Sequence, residues 1–270
     1  MPTIHPSACI APSAQIADDV TIGPYCVIGP GVSIASGCRL GSHVHIEGLT
    51  MIGARTEISS FASLGTPPQS VHYKGEATRL EIGDDCIIRE HVTANIGTMG
   101  GRGVTRIGNN CFLMTGAHVG HDSIVGNHVT FANNATLGGH SEIGDHVFLG
   151  GLCAVHQFVR IGELAIIGGL VGAVFDAIPF AAVIGHRGEL AGLNIVGLKR
   201  RNVPRASIYA LRRAYRALFL GPNTLAERTE RVAAEFSGDP NVMRIVDFIR
   251  AGGKRRLMTP RGLSDEEDDD

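Results

Sequence analysis

The sequence has no tryptophan, and aromatic residues make up only 5% of its 270 positions. Glycine is abundant by contrast, at 36 residues. The hydrophobic content of 44% is enough for an ordinary buried core, so the chain is short of bulky side chains and not of apolar ones. This composition indicates an architecture that limits the size of the side chains it can hold.

Several classes of protein are disfavoured by what else is missing. With 24 basic and 26 acidic residues there is no charge excess that would suit nucleic acid as the main partner. The N-terminus lacks a basic segment followed by an apolar stretch, and no run of about 18 apolar residues occurs, so we expect a cytoplasmic protein without a transmembrane segment. None of the six cysteines forms a CxxC pair, which argues against a disulfide framework or a structural zinc site.

A large apolar residue recurs at every sixth position from Ile10 to Ile167, with two interruptions. The residue after it is usually Gly or Ala, and the fifth position of each hexad takes only small residues, among them five of the cysteines. We interpret those cysteines as small packing residues of a narrow interior. The apolar series is Ile10, Ile16, Ile22, Ile28, Ile34, Leu40, Ile46, Ile52, Ile58, Leu64, Ile82, Ile88, then Ile107, Leu113, Val119, Val125, Phe131, Leu137, Ile143, Leu149, Val155, Ile161 and Ile167.

A six-residue period is typical of a parallel β-helix, in which three hexads form one triangular coil. We predict this β-helix over residues 1–180, with inserted loops at about 65–80 and 95–106 where the period is interrupted. An extended connector is expected at 181–203, an α-helical cap with amphipathic periodicity at 204–255, and an acidic, disordered tail at 256–270. Loops that leave a regular prism are natural places for function, and the glycine-rich second loop is expected to be a flexible flap.

In a coil of three hexads, residues separated by three hexads in the sequence lie above one another in successive coils. His121, Gly139 and Gln157 are separated by three hexads each and should lie above one another; Asp122 and His140 belong to the adjoining column. His118 and His156 fall close by, so four histidines converge on one patch. We predict a functional site there.

Two chemistries would use such a cluster. Neutral imidazoles from successive coils bind zinc in some β-helix hydratases. Alternatively, one histidine acts as a general base for attack on a thioester. A carboxylate beside the base and a glycine N–H above it favour the second chemistry, because Asp122 would hold the imidazole and Gly139 would stabilise an oxyanion. We expect no metal and no cofactor.

Several motifs outside the hexad consensus resemble one known family. The segments LGTPPQSVHYKGEATRLEIG, GAHVGHDSIVGN, ANNATLGGH, AVHQF and NIVGLKRR, followed by a helical cap, are similar to the UDP-N-acetylglucosamine O-acyltransferases of lipid A biosynthesis. The resemblance implies a homotrimer of left-handed β-helices that transfers a 3-hydroxyacyl chain from acyl carrier protein to the sugar 3-position. It also implies that His121 is the general base, that Asp122 supports it, and that Gly139 supplies the oxyanion-binding N–H.

The resemblance further implies residues that bind the sugar nucleotide or the acyl donor, and a position that measures acyl length. The binding positions are Gln69, Ser70, His72, His118, His140, His156, Gln157, Asn194, Arg200 and Arg201. Gly169 matches the position of the acyl-chain ruler, where a missing side chain suits a long chain. Guanidinium groups such as those of Arg200 and Arg201 suit a diphosphate.

Three departures from the family pattern, Ser70, His72 and Val196, concern the acceptor. They motivate the hypothesis that the acceptor is a UDP-3-amino sugar and the product an amide. The related N-acyltransferase that adds the next chain is a further alternative, but it carries an extra N-terminal domain, and here the hexads begin near residue 4. A non-catalytic scaffold that binds acyl carrier protein would not need His121, Asp122 and Gly139 together. An arginine-rich face of the first cap helix would steer an acidic acyl carrier protein.

Overall fold

The structure is a computed structural model that describes residues 1–260. It contains 28 strands, most of them two residues long, followed by four helices within those residues. The strands are β1 Thr3–Ile4, β2 Cys9–Ile10, β3 Gln15–Ile16, β4 Thr21–Ile22, β5 Val27–Ile28, β6 Ser33–Ile34, β7 Arg39–Leu40, β8 His45–Ile46, β9 Leu49–Ile52, β10 Glu57–Ile58, β11 Ser63–Thr66, β12 Arg79–Ile82, β13 Ile87–Ile88, β14 Thr93–Asn95, β15 Val104–Ile107, β16 Phe112–Leu113, β17 His118–Val119, β18 Ile124–Val125, β19 Thr130–Phe131, β20 Thr136–Leu137, β21 Glu142–Ile143, β22 Phe148–Leu149, β23 Ala154–Val155, β24 Arg160–Ile161, β25 Ile166–Ile167, β26 Gly172–Ala173, β27 Ala181–Ile184 and β28 Glu189–Leu193.

Every third strand belongs to the same parallel sheet, so the chain winds around a three-sided prism. Sheet 1 runs from β1 to β25 and continues into β27 and β28, sheet 2 runs from β2 to β26, and sheet 3 runs from β3 to β24. Thr3 pairs with Thr21 and Phe112 pairs with Thr130, which is the predicted register of three hexads per coil. The chain is a left-handed parallel β-helix of hexapeptide repeats, as predicted.

The narrow interior of the prism explains why the sequence has so few large side chains. The apolar residues of the series are buried from Ile22 to Ile167, Ile10 and Ile16 are partly buried, and the five cysteines of the fifth hexad position are buried as well. Burial raises the pKa of the Cys153 thiol to about 11, so this thiol stays protonated and unreactive at neutral pH. The cysteines are packing residues, as the hexad pattern predicts.

The glycines after each strand serve close packing between coils. A Cβ at Gly23 would lie 2.5 Å from the carbonyl oxygen of Gly41 in the next coil. The left-handed backbone conformation falls two residues later, at the fourth hexad position, where Tyr25 has a φ of 58° and His140 one of 61°. The side chains at that position therefore project from the prism edges and stack on one another from coil to coil.

The cap has three helices: α2 Arg205–Phe219, α3 Leu225–Glu235 and α4 Pro240–Ala251. Thr224 and Glu227 form a reciprocal capping box at the start of α3, and Asp239 caps α4 before Pro240. None of the helices within residues 1–260 has the length and apolar character needed to span a membrane.

Two predicted segments differ from the structure. The connector at 181–203 is not simply extended, because β27 and β28 form an antiparallel hairpin and a short helix, α1 Ile195–Arg200, follows it. The predicted disordered tail is wrong for residues 256–260, since Leu257 and Pro260 form β-bridges to Asp176 and Leu190. The remaining acidic tail, 261–270, lies outside the described residues.

Candidate active site

His121 lies on the prism edge where the chain passes from sheet 2 to sheet 3, which we call the 2–3 edge. It stands between β17 and β18, and its side chain is 13% exposed. Both inserted segments leave the prism at this same edge, because each connects a sheet-2 strand to a sheet-3 strand: β11 to β12 and β14 to β15. The interruptions of the repeat and the histidine column thus share one edge.

His121 is held by its neighbour in the chain. Its Nδ1 lies 2.9 Å from Oδ2 of Asp122, whose side chain is fully buried. Asp122 has a φ of 59°, and this left-handed turn conformation places its carboxylate beside the imidazole. A carboxylate at Nδ1 fixes the tautomer in which Nδ1 carries the proton and Nε2 is free to accept one.

The second inserted loop closes over the Asp122 carboxylate. The backbone N–H groups of Thr98, Arg102 and Gly103 donate to it at 2.7–3.1 Å, and the Thr98 hydroxyl donates to Oδ2 at 2.6 Å. Burial by itself would raise the pKa of Asp122, but the hydrogen bonds from His121, Thr98 and Arg102 outweigh it and hold that pKa well below its usual range. Asp122 is therefore ionised at neutral pH. The second inserted loop is held in place by its hydrogen bonds to this carboxylate and is not the flexible flap that was predicted.

Arg102 fastens this loop to the prism. Its Nη1 donates to the carbonyl oxygen of Asp122 at 2.8 Å, and its Nη2 forms an ion pair with Glu142 in the next coil. Gly101 makes the approach feasible, because a Cβ there would lie 2.6 Å from Oδ1 of Asp122. Sequence reasoning missed Thr98 and Arg102; the glycines around Arg102 were the available signal.

Gly139 lies against the imidazole ring of His121. A Cβ at Gly139 would lie 2.7 Å from Nε2 and Cε1 of that ring, so only glycine leaves the ring where it is. Among residues 1–260, no acceptor takes a hydrogen bond from the Gly139 N–H. An unpaired N–H beside the Nε2 of a histidine is suited to binding an oxyanion.

The other histidines line the same edge and sheet. The His140 ring stands edge-on to His121, with centroids 5.0 Å apart, and stacks on Phe158 at 4.4 Å. His118 bonds to the Thr93 hydroxyl at 2.7 Å, and Nδ1 of His156 lies 2.9 Å from a guanidinium nitrogen of Arg255. Burial lowers the pKa of both His118 and His140, so these two imidazoles are neutral at neutral pH.

One group of side chains has the spacing of a metal site. Ligand atoms of His121, Asp122 and His140 lie within 4.8 Å of one another. However, both oxygens of the Asp122 carboxylate already accept hydrogen bonds from the loop and from His121, which orients this carboxylate towards protein donors. The Asp122 carboxylate therefore serves as the partner that orients the Nδ1 side of His121.

Asn194, Arg200 and Arg201 lie elsewhere in the chain, on the 3–1 edge where sheet 3 passes to sheet 1. They line a groove of about 1180 Å³ together with His128, His146 and Phe148, and Arg201 lies 2.5 Å from Nδ1 of His146. Asn194 caps α1: its Oδ1 accepts from the N–H of Gly197, and its Nδ2 donates to the carbonyl of Leu164. One chain therefore does not bring these residues next to His121.

The remaining predicted residues fall into two places. Gln69, Ser70 and His72 lie in the first inserted loop, where Gln69 and His72 are exposed. Gln157 is exposed on the 2–3 edge, one coil above Gly139. Gly169 lies on the 1–2 edge, between β25 and β26, and is likewise apart from His121 within one chain.

Comparisons with known proteins bear on the family of this chain. Residues 176–259 match the family model described as Udp N-acetylglucosamine O-acyltransferase, domain 2, and residues 1–36 and 105–139 match the bacterial transferase hexapeptide model. An acyl-[acyl-carrier-protein]--UDP-N-acetylglucosamine O-acyltransferase of Azorhizobium caulinodans is 57% identical over 266 residues, which cover 98% of each chain.

Solved structures give the same result. The UDP-N-acetylglucosamine acyltransferase of Campylobacter jejuni superposes with a TM-score of 0.90 at 37% identity, covering 96% of this chain and 100% of that one. The enzyme of Francisella novicida gives 0.92 at 34% identity, with coverages of 97% and 96%. The chain belongs to the UDP-N-acetylglucosamine O-acyltransferase family.

Proposed function

We propose that this chain transfers a 3-hydroxyacyl group from acyl carrier protein to the 3-hydroxyl of UDP-N-acetylglucosamine, with His121 as the general base. The observation that carries the proposal is the placement of Nε2 of His121 against Gly139 while Nδ1 is held by Asp122. The relatives are named for this reaction. The amide-forming alternative is not favoured, because those relatives are named O-acyltransferases.

The residues suggest a two-step transfer. Nε2 of His121 takes the proton of the sugar 3-hydroxyl while that oxygen attacks the thioester carbon, and the carbonyl oxygen becomes an oxyanion that the Gly139 N–H binds. The C–S bond then breaks, and the imidazolium returns its proton to the departing sulfur. Asp122 stabilises the imidazolium between the two steps, since its carboxylate stays charged.

An assay of the purified protein tests this proposal. Transfer from 3-hydroxyacyl carrier protein to UDP-N-acetylglucosamine should fall by roughly 10²- to 10⁴-fold in His121→Ala. The matched control is His186→Ala, because His186 is exposed in the turn between β27 and β28 and lines neither the His121 site nor the groove of Arg200 and Arg201. Undiminished transfer by His121→Ala would refute the proposed base.

We also propose that the active unit is a homotrimer. Exposed apolar side chains concentrate on the 1–2 edge, where Tyr25 is 61% exposed and Leu170 is 70% exposed, and sheet 1 adds Ile87 and Phe148. Sheet 3 instead presents charged residues such as Arg106 and Glu142. Three prisms packed around their 1–2 edges would bury the apolar surface and set sheet 2 of one subunit against sheet 1 of the next.

This packing completes the binding site. It brings His121, at the outer border of sheet 2, opposite Arg200 and Arg201, at the outer border of sheet 1 in the neighbouring subunit. We assign the two guanidinium groups to the UDP diphosphate, and we assign Asn194 to holding α1 in place for them. The opposite wall of this shared site belongs to the subunit that carries His121. It is lined by His118, His140, His156, Gln157 and the first inserted loop with Gln69, Ser70 and His72. Gly169, at the inner end of the interface, leaves room for a long acyl chain.

Subunit complementation tests the shared site. His121→Ala and Arg201→Ala are each expected to have low activity, and trimers reassembled from a mixture should regain part of it. Each mixed trimer then has an interface with an intact histidine from one subunit and an intact arginine from the other. If both residues served one site within a single chain, the mixture would stay as inactive as its components.

The donor is proposed to dock on the cap. Arg205, Arg212, Arg213 and Arg216 are exposed on α2, and their charge complements an acidic acyl carrier protein. Because five of the six cysteines are buried and unpaired, as is usual in a reducing compartment, a cytoplasmic site of action is part of the proposal.

A further inference from the structure

The last described residues return from the cap to the prism. After α4 ends, the N–H of Asp176 donates to the carbonyl of Arg256 at 2.7 Å, and the N–H of Met258 donates to the carbonyl of Asp176 at 2.8 Å. Met258 is fully buried. We call residues 252–260 the return segment.

A glycine lets this segment lie close to the prism. A Cβ at Gly253 would overlap the carboxylate of Asp176 and would lie 2.6 Å from Nε of Arg160. Asp176, which is buried, forms an ion pair with the partly buried Arg160 at an N···O distance of 2.7 Å. The return segment is therefore positioned by specific packing and is not a loose end of the chain.

Two cations of the segment lie on the 2–3 edge. The ammonium of Lys254 is 4.1 Å from the centroid of the Phe158 ring. Nε of Arg255 donates to the carbonyl of Gln157 at 3.1 Å, and its Nη2 lies 2.9 Å from Nδ1 of His156. These partners are a ring face, a carbonyl and an imidazole, and among residues 1–260 neither cation has a carboxylate within ion-pair distance. Two adjacent cations without a counter-charge favour binding of an anion.

The cations continue the histidine column towards the cap. His121 contacts His140, His140 stacks on Phe158, and Phe158 carries Lys254 on its face. The cations are thus about two coils from the proposed base, a rise of roughly 10 Å at about 4.8 Å per coil. A donor that docks on the cap must lay its thioester arm along this column to reach Gly139.

We propose that Lys254 and Arg255 form a subsite for the phosphodiester of the acyl donor's prosthetic arm. The inference rests on the proposed function and adds the donor's phosphate to it. An acyl carrier protein holds its acyl group on a phosphopantetheine arm, with the phosphate at the protein end and the thioester at the far end. The sugar nucleotide's diphosphate is the other phosphate in the reaction, and the guanidinium pair of Arg200 and Arg201 on the 3–1 edge serves it.

Two donors that differ only in the phosphate test the subsite. S-(3-hydroxyacyl)-4′-phosphopantetheine and S-(3-hydroxyacyl)-pantetheine are each assayed against UDP-N-acetylglucosamine with the wild-type protein and with Lys254→Gln, Arg255→Gln and the double variant. The double variant should lose roughly 10- to 100-fold in kcat/KM with the phosphorylated donor and little with the other. KM for UDP-N-acetylglucosamine should not change. Arg187→Gln, an exposed cation in the turn between β27 and β28, is the matched control.

Other outcomes would overturn the subsite. Equal losses with both donors would mean that the segment has only a structural role. A raised KM for UDP-N-acetylglucosamine would assign the cations to the nucleotide instead. Gly253→Val, which should displace the whole segment, is expected to reproduce the double variant's selective loss.

Calorimetric titration of free 4′-phosphopantetheine and free pantetheine into wild-type and double-variant protein gives a second test, independent of turnover. The phosphate should strengthen binding to the wild type only. Equal binding of the two compounds by the wild type would refute the subsite even if the proposed transfer reaction failed. Conversely, normal transfer with an unchanged preference between donors would refute the subsite and leave the base intact.

Discussion

The ring of His121 occupies the space that a side chain at Gly139 would need, since a Cβ there would lie 2.7 Å from its Nε2. The glycine and the histidine are thus two parts of one contact across adjacent coils. The base and the oxyanion-binding N–H keep their relative position because the backbone of one coil rests against the ring of the other.

Gly139→Ala is predicted to displace the imidazole and lower kcat by about 10²-fold, with a small effect on KM, because a shift of about 1 Å in a reacting group has effects of this size. Steady-state kinetics would measure it. The control is Gly238→Ala, in the turn between α3 and α4, where a Cβ would meet no atom of the described residues within 4 Å. Similar kinetics for both variants would contradict the proposed contact.

Asp122→Asn should lower kcat by roughly 10³- to 10⁴-fold, since an amide no longer fixes the histidine tautomer or stabilises the imidazolium. The loop at 96–103 should also become easier to cleave by protease, because its N–H groups lose their ionised acceptor. Asp145→Asn is the matched control: its carboxylate accepts from the N–H of Asn127 on a different edge and touches no proposed catalytic group. Retained activity in Asp122→Asn would remove the carboxylate from the mechanism.

Arg102→Ala is expected to reduce kcat by roughly tenfold and to leave both KM values nearly unchanged, because Arg102 acts through Asp122 and not on substrate. Glu142→Gln should have a smaller effect in the same direction, and Arg102→Lys should recover part of the activity. Arg106→Ala serves as control. It removes an ion pair with Glu81, and both residues lie on sheet 3, as Glu142 does. A change in KM without a change in kcat would instead indicate substrate contact by Arg102.

Stability should depend on pH through His118 and His140. Burial lowers their pKa values in the folded protein below the unfolded value of about 6.5. Between the lowered pKa and about 6.5 the unfolded chain binds more protons than the folded one, so the free energy of unfolding decreases as the pH falls through this window. Thermal melts at pH 7.5 and below pH 6.5 measure how much the melting temperature falls between the two pH values. This fall should be smaller in His118→Gln and His140→Asn than in the wild-type protein. His186→Asn, in the exposed turn between β27 and β28, should behave like the wild type. Identical pH dependence in all four proteins would contradict this account.

The periodic part of the molecule was predictable, and the reason is geometric. A coil of three hexads fixes which residues stack, so the juxtaposition of His121 with Gly139 follows from counting, and the two breaks in the hexad series indicate where chain leaves the prism. The contacts of Arg102 with Asp122 and of Arg255 with His156 do not follow from any period. They depend on how a loop and a chain end fold back, and a short helix such as α1, with Gly197 inside it, carries too little pattern to be detected.

The three-hexad coil also restricts which changes of length this chain can accept. A deletion of one hexad between Phe158 and Asp176 would rotate everything beyond it by one face and carry the return segment to another edge. A deletion or insertion of one whole coil would keep Lys254 on the 2–3 edge and move it along the prism by about 4.8 Å. Insertions and deletions in this part of the gene should therefore survive selection only as whole coils. Each such coil would change the distance between Lys254 and His121, which the donor arm must span, by the height of one coil.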